Sequence, residues 1–384
     1  MPIANFDCPW MAEEHRIYAD SVTRFIEDRW VPRQQEFLDA HMMPRETWNE
    51  AGEAGLLCAA IPDEYGGLGG DFGHEAVVAI ETTRMNVAGF GGSMHSGIVA
   101  PYILTHGSDE QKHRWLPKMA TGELVGALAM TEPGTGSDLQ SIRTNAVREG
   151  DFYRLNGSKT FITNGQNADL IIVACKTDRA EGARGISLLV VETHGLNGFR
   201  RGRNLDKVGL KAQDTSELFF EDCLIPAENL LGQAEGQGFA QMMNELPQER
   251  LIIALNAIGA IERAVEDTIA YCKEREAFGQ PIIQFQNTRF KLVECRAHAL
   301  AARSFVDACM MAHLKGELGV DRAAMAKYWV TEAQGKIIDE CLQLFGGYGY
   351  MMEYPIAQLF VDARVQRIYG GTNEIMKELA SRSL

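Results

Sequence analysis

In the segment NELPQERLIIALNAIGA (244–260), Glu249 stands two residues after Pro247, where a missing N–H interrupts the helical i→i−4 ladder. One and two turns along the same helix face lie Ile253 and Asn256. A carboxylate beside Ile253 is partly desolvated, which raises its proton affinity and suits it to act as a general base. The competing reading is an exposed Glu249–Arg250 charge pair, the commonest fate of such a dipeptide.

Four other segments carry chemistry-bearing residues at suggestive spacings. In AMTEPGTGSD (129–138), Gly134 and Gly136 let the backbone approach a ligand, and Thr131, Ser137 and Asp138 add polar side chains. Such a loop can aim N–H groups at a pyrophosphate, although ordinary turns are rich in the same residues. In FITNG (161–165), Phe161 offers a flat face and Thr163 a hydroxyl to a planar heteroaromatic ring, although a Phe in a strand usually belongs to a core. In CKEREAFGQPIIQFQ (272–286), Arg275 can pair with phosphate and Phe278 can stack, or the segment is a charged helix end followed by a Gly279/Pro281 turn. In IYGGTNEIMKEL (368–379), Gly370 and Gly371 precede Thr372, Asn373 and Glu374, the composition of a capped helix start, where anionic or carbonyl oxygens bind or capping alone is served. His95 sits in the small-residue loop GGSMHSG, and no Ser–His–Asp spacing is suggestive.

The elements that must hold these residues follow from the hydrophobic period, which changes twice. Up to about residue 122 it is helical: Ile17, Val22, Phe25 and Ile26 recur at helical spacing, Pro44 opens a helix, and another run covers 74–86. Over 123–236 the period is two. Leu170–Ala174, Ile186–Val191 and Leu218–Phe220 read as strands, and Asn156-Gly157 reads as a hairpin turn. From 237 to 384 the period is helical again, with Leu251, Ala254, Leu255, Ile258, Ile261, Val265 and Ile269 on one stripe. Three units are therefore expected: 1–122 helical, 123–236 a small β-barrel or sandwich, and 237–384 helical. The absence of β–α alternation, of a strand-linked GxGxxG and of a P-loop disfavours a doubly wound nucleotide fold.

Composition narrows the class. The 384 residues include 37 Lys+Arg and 52 Asp+Glu, a formal charge of −15, which argues against a nucleic-acid binder. The eight cysteines lack metal-pair spacing, so reduced buried thiols and no metal are expected. MPIANFDCPW has neither a basic nor an apolar leader region, and no apolar run reaches about 18 residues, so neither a signal peptide nor a membrane span is expected.

Each signal is weak singly, but their order is specific. The chain resembles the acyl-CoA dehydrogenase family, most closely its long-chain branch, through AMTEPGTGSD, QLFGGYGY…YPIAQLFVDAR (343–364), GLKAQDTSELFFEDC (209–223), LPQERL and IYGGTNEIMKEL. The resemblance implies an α+β fold: an N-terminal helical domain, a middle β-barrel and a C-terminal four-helix bundle. It implies FAD, with Leu128, Met130, Thr131, Gly136 and Ser137 beside the cofactor and Phe161, Ile162 and Thr163 against its ring. Thr372 and Glu374 belong near the cofactor as well. Residues matching Arg275, Phe278, Gln286, Gln343, Gly346 and Gly347 are cofactor contacts, and those matching Arg275, Gln286 and 343–347 reach the FAD of a neighbouring subunit. A homodimer or a pair of dimers follows.

The implied reaction converts an acyl-CoA thioester to the trans-2-enoyl thioester, with flavin N5 as hydride acceptor and an electron-transferring flavoprotein as reoxidant. Backbone N–H groups and a flavin ribityl hydroxyl polarise the carbonyl. Many members carry the base immediately before the Gly-Thr of the last motif, where this chain has Gly370. The long-chain and isovaleryl branches draw it from the LPQERL helix, which assigns the role to Glu249 and substrate contacts to Ser137, Asn244, Arg250, Gly370 and Gly371. Gly89, Gly91, Gly92, Ser93, Ser96 and Gly97 lie where the family places pocket wall, so a deep acyl pocket is expected. The implied compartment is a bacterial cytoplasm or, after processing, a mitochondrial matrix. Rival readings are an acyl-CoA oxidase or other flavin oxidase on the same fold, and a helical interaction protein without catalysis.

Overall fold

The computed structural model of the chain describes residues 8–232 and 234–384. Seven helices come first: α1 (Glu13–Arg29), α2 (Gln34–Ala40), α3 (Arg45–Glu53), α4 (Phe72–Arg84), α5 (Gly92–Met94), α6 (Ala100–His106) and α7 (Asp109–Ala120). Local chemistry marks their starts. Asp71 accepts the Gly73 N–H at the head of α4 (2.8 Å), and Ser108 with Gln111 closes a capping box on α7. On α1 the buried face is Val22 and Ile26, whereas Ile17 is 60 % exposed, so that member of the expected stripe faces solvent. Between α5 and α6 a π turn, His95–Val99, shifts the helix phase.

The middle unit is one curled sheet of β1 (Gly126–Ala129), β2 (Asn145–Glu149), β3 (Phe152–Thr163), β4 (Leu170–Lys176), β5 (Ile186–Glu192), β6 (Phe199–Asn204) and β7 (Thr215–Pro226). β4 pairs with β5 along one edge and with β1 and β2 along the other; β3, β7 and β6 follow. The expected barrel curvature is present, but no ladder joins β5 to β6. Arg201 bridges that side instead, donating to the Ala168 carbonyl (2.6 Å) and to Thr193 Oγ1 (3.0 Å). Tyr153, Leu155, Ile171, Val173, Leu218 and Phe220 fill the inside.

The Asn156-Gly157 hairpin is a correction. The β2–β3 turn is at Gly150-Asp151, and Asn156 and Gly157 lie within β3 at a bulge against β7. Asn156 exchanges two hydrogen bonds with Asp222 (2.9 and 3.0 Å), and a Cβ on Gly157 would strike Thr144. The glycine serves a close approach and the asparagine a cross-strand clasp.

The last unit is built on α8 (Gly238–Glu274), α9 (Gln286–Leu314) and α10 (Val320–Phe345), with α11 (Pro355–Ala363) and α12 (Asn373–Ser381) packed on α10. A short hairpin, β8 (Glu276–Ala277) with β9 (Gln280–Pro281), joins α8 to α9. Pro247 is accommodated inside the continuous α8. The expected stripe of α8 is buried from Leu251 to Val265. At Gly259 α4 comes so close that a Cβ would strike the Ile80 carbonyl, which brings the N-terminal unit against the Glu249 helix. No described helix is long and apolar enough to cross a membrane, and all eight cysteines are buried and free.

Candidate active site

A cavity of about 500 Å³ lies where the three units meet. Its sheet wall is Leu128 and Met130 from the β1 end, Thr131, Gly136 and Ser137 from the following loop, and Phe161, Ile162 and Thr163 from the end of β3. That loop is pinned from below. Lys159, fully buried, donates to the Met130 carbonyl and to Glu132 Oε1 (both 2.9 Å), and Glu132 also accepts the Arg143 and Thr144 N–H groups (2.7 and 3.0 Å). Outside the anchor, Cβ atoms built on Gly134 and Gly136 would meet nothing within 4 Å. A bulge between Lys159 and Ile162 and a left-handed φ of 60° at Phe161 turn its ring outward, 67 % exposed. Phe161 is therefore not a core residue.

The helical wall carries Glu249, Arg250, Ile253 and Asn256 of α8. Glu249 is buried, and its Oε1 accepts the Tyr102 O–H at 2.9 Å. Burial pushes its carboxyl up to about 7, against the pull of the Tyr102 hydroxyl and the Arg250 charge. Arg250 is buried too, and its Nε has no hydrogen-bond partner among the described residues. Glu249 and Arg250 are thus not an exposed charge pair.

Gly370 and Gly371 line the cavity too, with φ of 63° and 88°. Their turn is held by Lys327 of α10, whose Nζ donates to the Gly371 carbonyl (2.7 Å) and to Asn373 Oδ1 (3.0 Å). Burial and the nearby Arg250 charge push the Lys327 ammonium down to about 7. Thr372 caps α12, accepting the Ile375 N–H.

Several expected site residues lie elsewhere. Asn244 is exposed on α8, where Met243 and Leu246 form the wall; the helix phase carries it away from the cavity. Thr372 and Glu374 sit behind the Gly370 turn, outside the lining. Arg275 ends α8 with its guanidinium 5.7 Å from the Tyr348 ring centre, and Phe278 is 97 % exposed at the hairpin tip. Gln286 opens α9, Gln343 lies near the end of α10, and Gly346 and Gly347 form the turn after it. These six residues lie around the α8–α9 connection and the α10 end, apart from the cavity of their own chain.

The small residues expected as pocket wall mostly do other work. Gly91 and Ser93 line the cavity. A Cβ on Gly97 would come within 2.6 Å of Ile252 Cδ1, while those on Gly89 and Gly92 would strike Ala212 and Phe90. These glycines allow close packing rather than leave open volume.

Sequence reasoning missed Tyr102, Lys159 and Lys327. Lys327 had a signal: it stands three or four residues from Ala323, Ala324, Val330 and Thr331 on a buried face of α10. Away from the cavity, His15, Asp71 and His74 bring ligand atoms within 4.8 Å of one another. There the His15 Nδ1 accepts the Ala12 N–H (3.0 Å), so its proton sits on Nε2 facing Asp71, and neither nitrogen has a free lone pair for a metal.

Three family models match in chain order: the acyl-CoA dehydrogenase N-terminal domain over 12–123, the middle domain over 127–223 and the C-terminal domain over 236–384. The chain belongs to the acyl-CoA dehydrogenase family. It is 50 % identical to the mouse (Mus musculus) mitochondrial long-chain specific acyl-CoA dehydrogenase over 375 residues, 97 % of this chain and 87 % of that one. The crystal structure of an acyl-CoA dehydrogenase from Geobacillus kaustophilus superposes with a TM-score of 0.95 at 46 % identity, covering 98 % of this chain and 99 % of that one. A glutaryl-CoA dehydrogenase from Mycobacterium smegmatis in complex with FADH2 superposes with a TM-score of 0.91 at 28 % identity, covering 97 % and 95 %. Acyl-CoA dehydrogenases are flavoprotein oxidoreductases of fatty-acid β-oxidation, and FAD is the family's cofactor. In this acyl-CoA dehydrogenase, a buried carboxylate of raised proton affinity and a ring turned out of its sheet share one cavity.

Proposed function

We propose that this chain oxidises a medium-to-long or branched acyl-CoA thioester to its trans-2-enoyl thioester, with Glu249 as the base. The observation that carries this reading is Glu249 itself: a buried carboxyl, lifted to about 7, on the wall of the cavity. The residues present fit FAD, since the Phe161 ring is exposed to the cavity beside Ile162 and Thr163, and open space surrounds Gly134 and Gly136. When bound, FAD supplies the acceptor for the β-hydride.

The remaining steps belong to the chain. Glu249 takes the α-proton as the α-C–H bond breaks, and the released pair forms the new double bond as the β-hydride leaves. Burial supports a base of this strength: an ordinary carboxylate near 4.5 is too weak to compete for a thioester α-proton. Gly370, on the cavity wall, offers a backbone N–H to the thioester carbonyl. Arg250, whose Nε has no partner among the described residues, meets the ligand's polar end. Ser137 and Gly371 complete the substrate contacts. Arg275, Phe278, Gln286, Gln343, Gly346 and Gly347 serve the FAD of a second copy, which makes the enzyme a homodimer or a pair of dimers. An electron-transferring flavoprotein accepts the electrons.

The experiment is anaerobic flavin bleaching by a panel of straight and branched acyl-CoA thioesters, followed by turnover with an artificial acceptor. The expected result is a yellow protein whose kcat/KM rises beyond butyryl-CoA, as each buried methylene contributes about 0.8 kcal/mol. A colourless protein, or a sharp optimum at four carbons, overturns the corresponding part.

A further inference from the structure

Helices α6 and α8 are joined by two matched polar pairs. Tyr102 and His106 are one turn apart on α6, as Glu245 and Glu249 are on α8. The Tyr102 hydroxyl donates to Glu249 Oε1 at 2.9 Å, and His106 Nε2 lies 3.0 Å from Glu245 Oε1. Tyr102 is fully buried and does not line the cavity, so it stands behind the carboxylate and clear of the ligand.

We propose that Tyr102 is a positioning residue that holds one oxygen of Glu249 by its hydroxyl, keeps the carboxylate ionised, and leaves the other oxygen to take the substrate proton. The inference rests on Glu249 being the base. A hydrogen bond given to a carboxylate favours its charged form, and at a buried site no water replaces it. Burial and the adjacent Glu249 charge raise the Tyr102 phenol well above its ordinary range, so it stays a donor through the working pH range. The other charged groups facing this pair are Glu245 and Arg250 on α8 and His106 on α6, and the Arg250 charge in turn acts on Lys327 of α10. From α9, His313, 3.1 Å from Gln248 Oε1, is pushed down to about 4 by burial and is neutral.

The test is the pH profile of flavin reduction in the FAD-loaded enzyme. Tyr102→Phe removes the hydroxyl and keeps the ring, so the base becomes harder to ionise. Its acid limb should move up by about one pH unit, about a tenfold loss of rate below the midpoint, with recovery at high pH. A purely structural role would alter FAD content or thermal midpoint and leave the limb in place. Should Tyr102→Phe lose FAD, site-specific 3-fluorotyrosine at 102 carries the test: the same shape with a stronger donor should move the limb down. A limb that stays in place in the FAD-loaded variants, while the unmodified enzyme is reduced by acyl-CoA, overturns this inference alone. An unmodified enzyme that no acyl-CoA reduces overturns the dehydrogenase reading and this inference with it.

Discussion

The Cβ that Gly370 lacks would collide with Cδ1 of Ile253, the residue one turn beyond Glu249 on α8. Gly370 also has a φ of 63°, a region that L side chains adopt at a cost. The position at which many family members carry their base is therefore crowded here by a side-chain end from the helix that carries Glu249.

This collision bears on moving the base. In Glu249→Gln/Gly370→Glu the new carboxyl must displace Ile253, and overpacking of this kind costs about 1–3 kcal/mol. Little flavin reduction should return. Adding Ile253→Val removes only the colliding methyl and should raise the rate by about tenfold. Equal rates with and without Ile253→Val would show that the collision is not what limits the transplant.

Glu249→Gln alone keeps the shape of the proposed base and loses its proton affinity. FAD and acyl-CoA should still bind, while flavin reduction falls by about 10²–10⁴-fold or more. In the unmodified protein, reduction should fall as pH drops through about 7, where the carboxyl takes up its proton. Stopped-flow bleaching across pH measures both. Near-normal reduction by the variant would falsify the assignment of Glu249.

The same carboxyl affects stability with a definite sign. Its folded-state value of about 7 lies above the ordinary 4.5, so over that interval the folded protein holds a proton that the unfolded chain releases. This group's contribution to stability is present at low pH and lost as pH rises through about 7. Glu249→Gln removes the dependence. The thermal midpoint of the variant relative to the unmodified protein should therefore be higher at pH of about 8 than at about 5. A pH-independent difference counts against burial as the cause.

Lys159 and Glu132 form a buried ion pair beneath the loop bearing Thr131 and Ser137. Lys159→Met leaves the Glu132 carboxylate buried without its counter-charge, at a cost of about 3–5 kcal/mol. The thermal midpoint should fall by several degrees and FAD content should drop. Adding Glu132→Gln should recover part of the midpoint. A Lys159→Met protein as stable as its parent would show the anchor to be dispensable.

Arg275, outside its own cavity, tests the proposed shared cofactor site. Arg275→Glu reverses a charge proposed to meet a neighbour's pyrophosphate, so on that proposal FAD occupancy should fall and the oligomer should weaken. Absorbance ratios and sedimentation read both. Normal flavin content and assembly would remove Arg275 from the cofactor contacts.

The order of three units was legible in the sequence because hydrophobic patterning is local: α8 shows its stripe within its own residues, and β4 and β5 are short apolar runs buried along nearly their whole length. Capping is local too, and Thr372 was readable for that reason. Glu249 was marked by Pro247 and Ile253, but its burial, its Tyr102 partner 147 residues away and its raised proton affinity needed α6 against α8. Asn156-Gly157 carries a turn signature yet lies within β3, because its partners, Asp222 of β7 and Thr144 just before β2, come from other segments. Glycines 92 and 97 read as open pocket and act as close-packing positions for the same reason. Periodicity and caps are set by neighbours a few bonds or one turn away, and sequence alone determines them. Proton affinity, close approach and cavity shape depend on groups brought together from distant segments, and only the packed structure decides those.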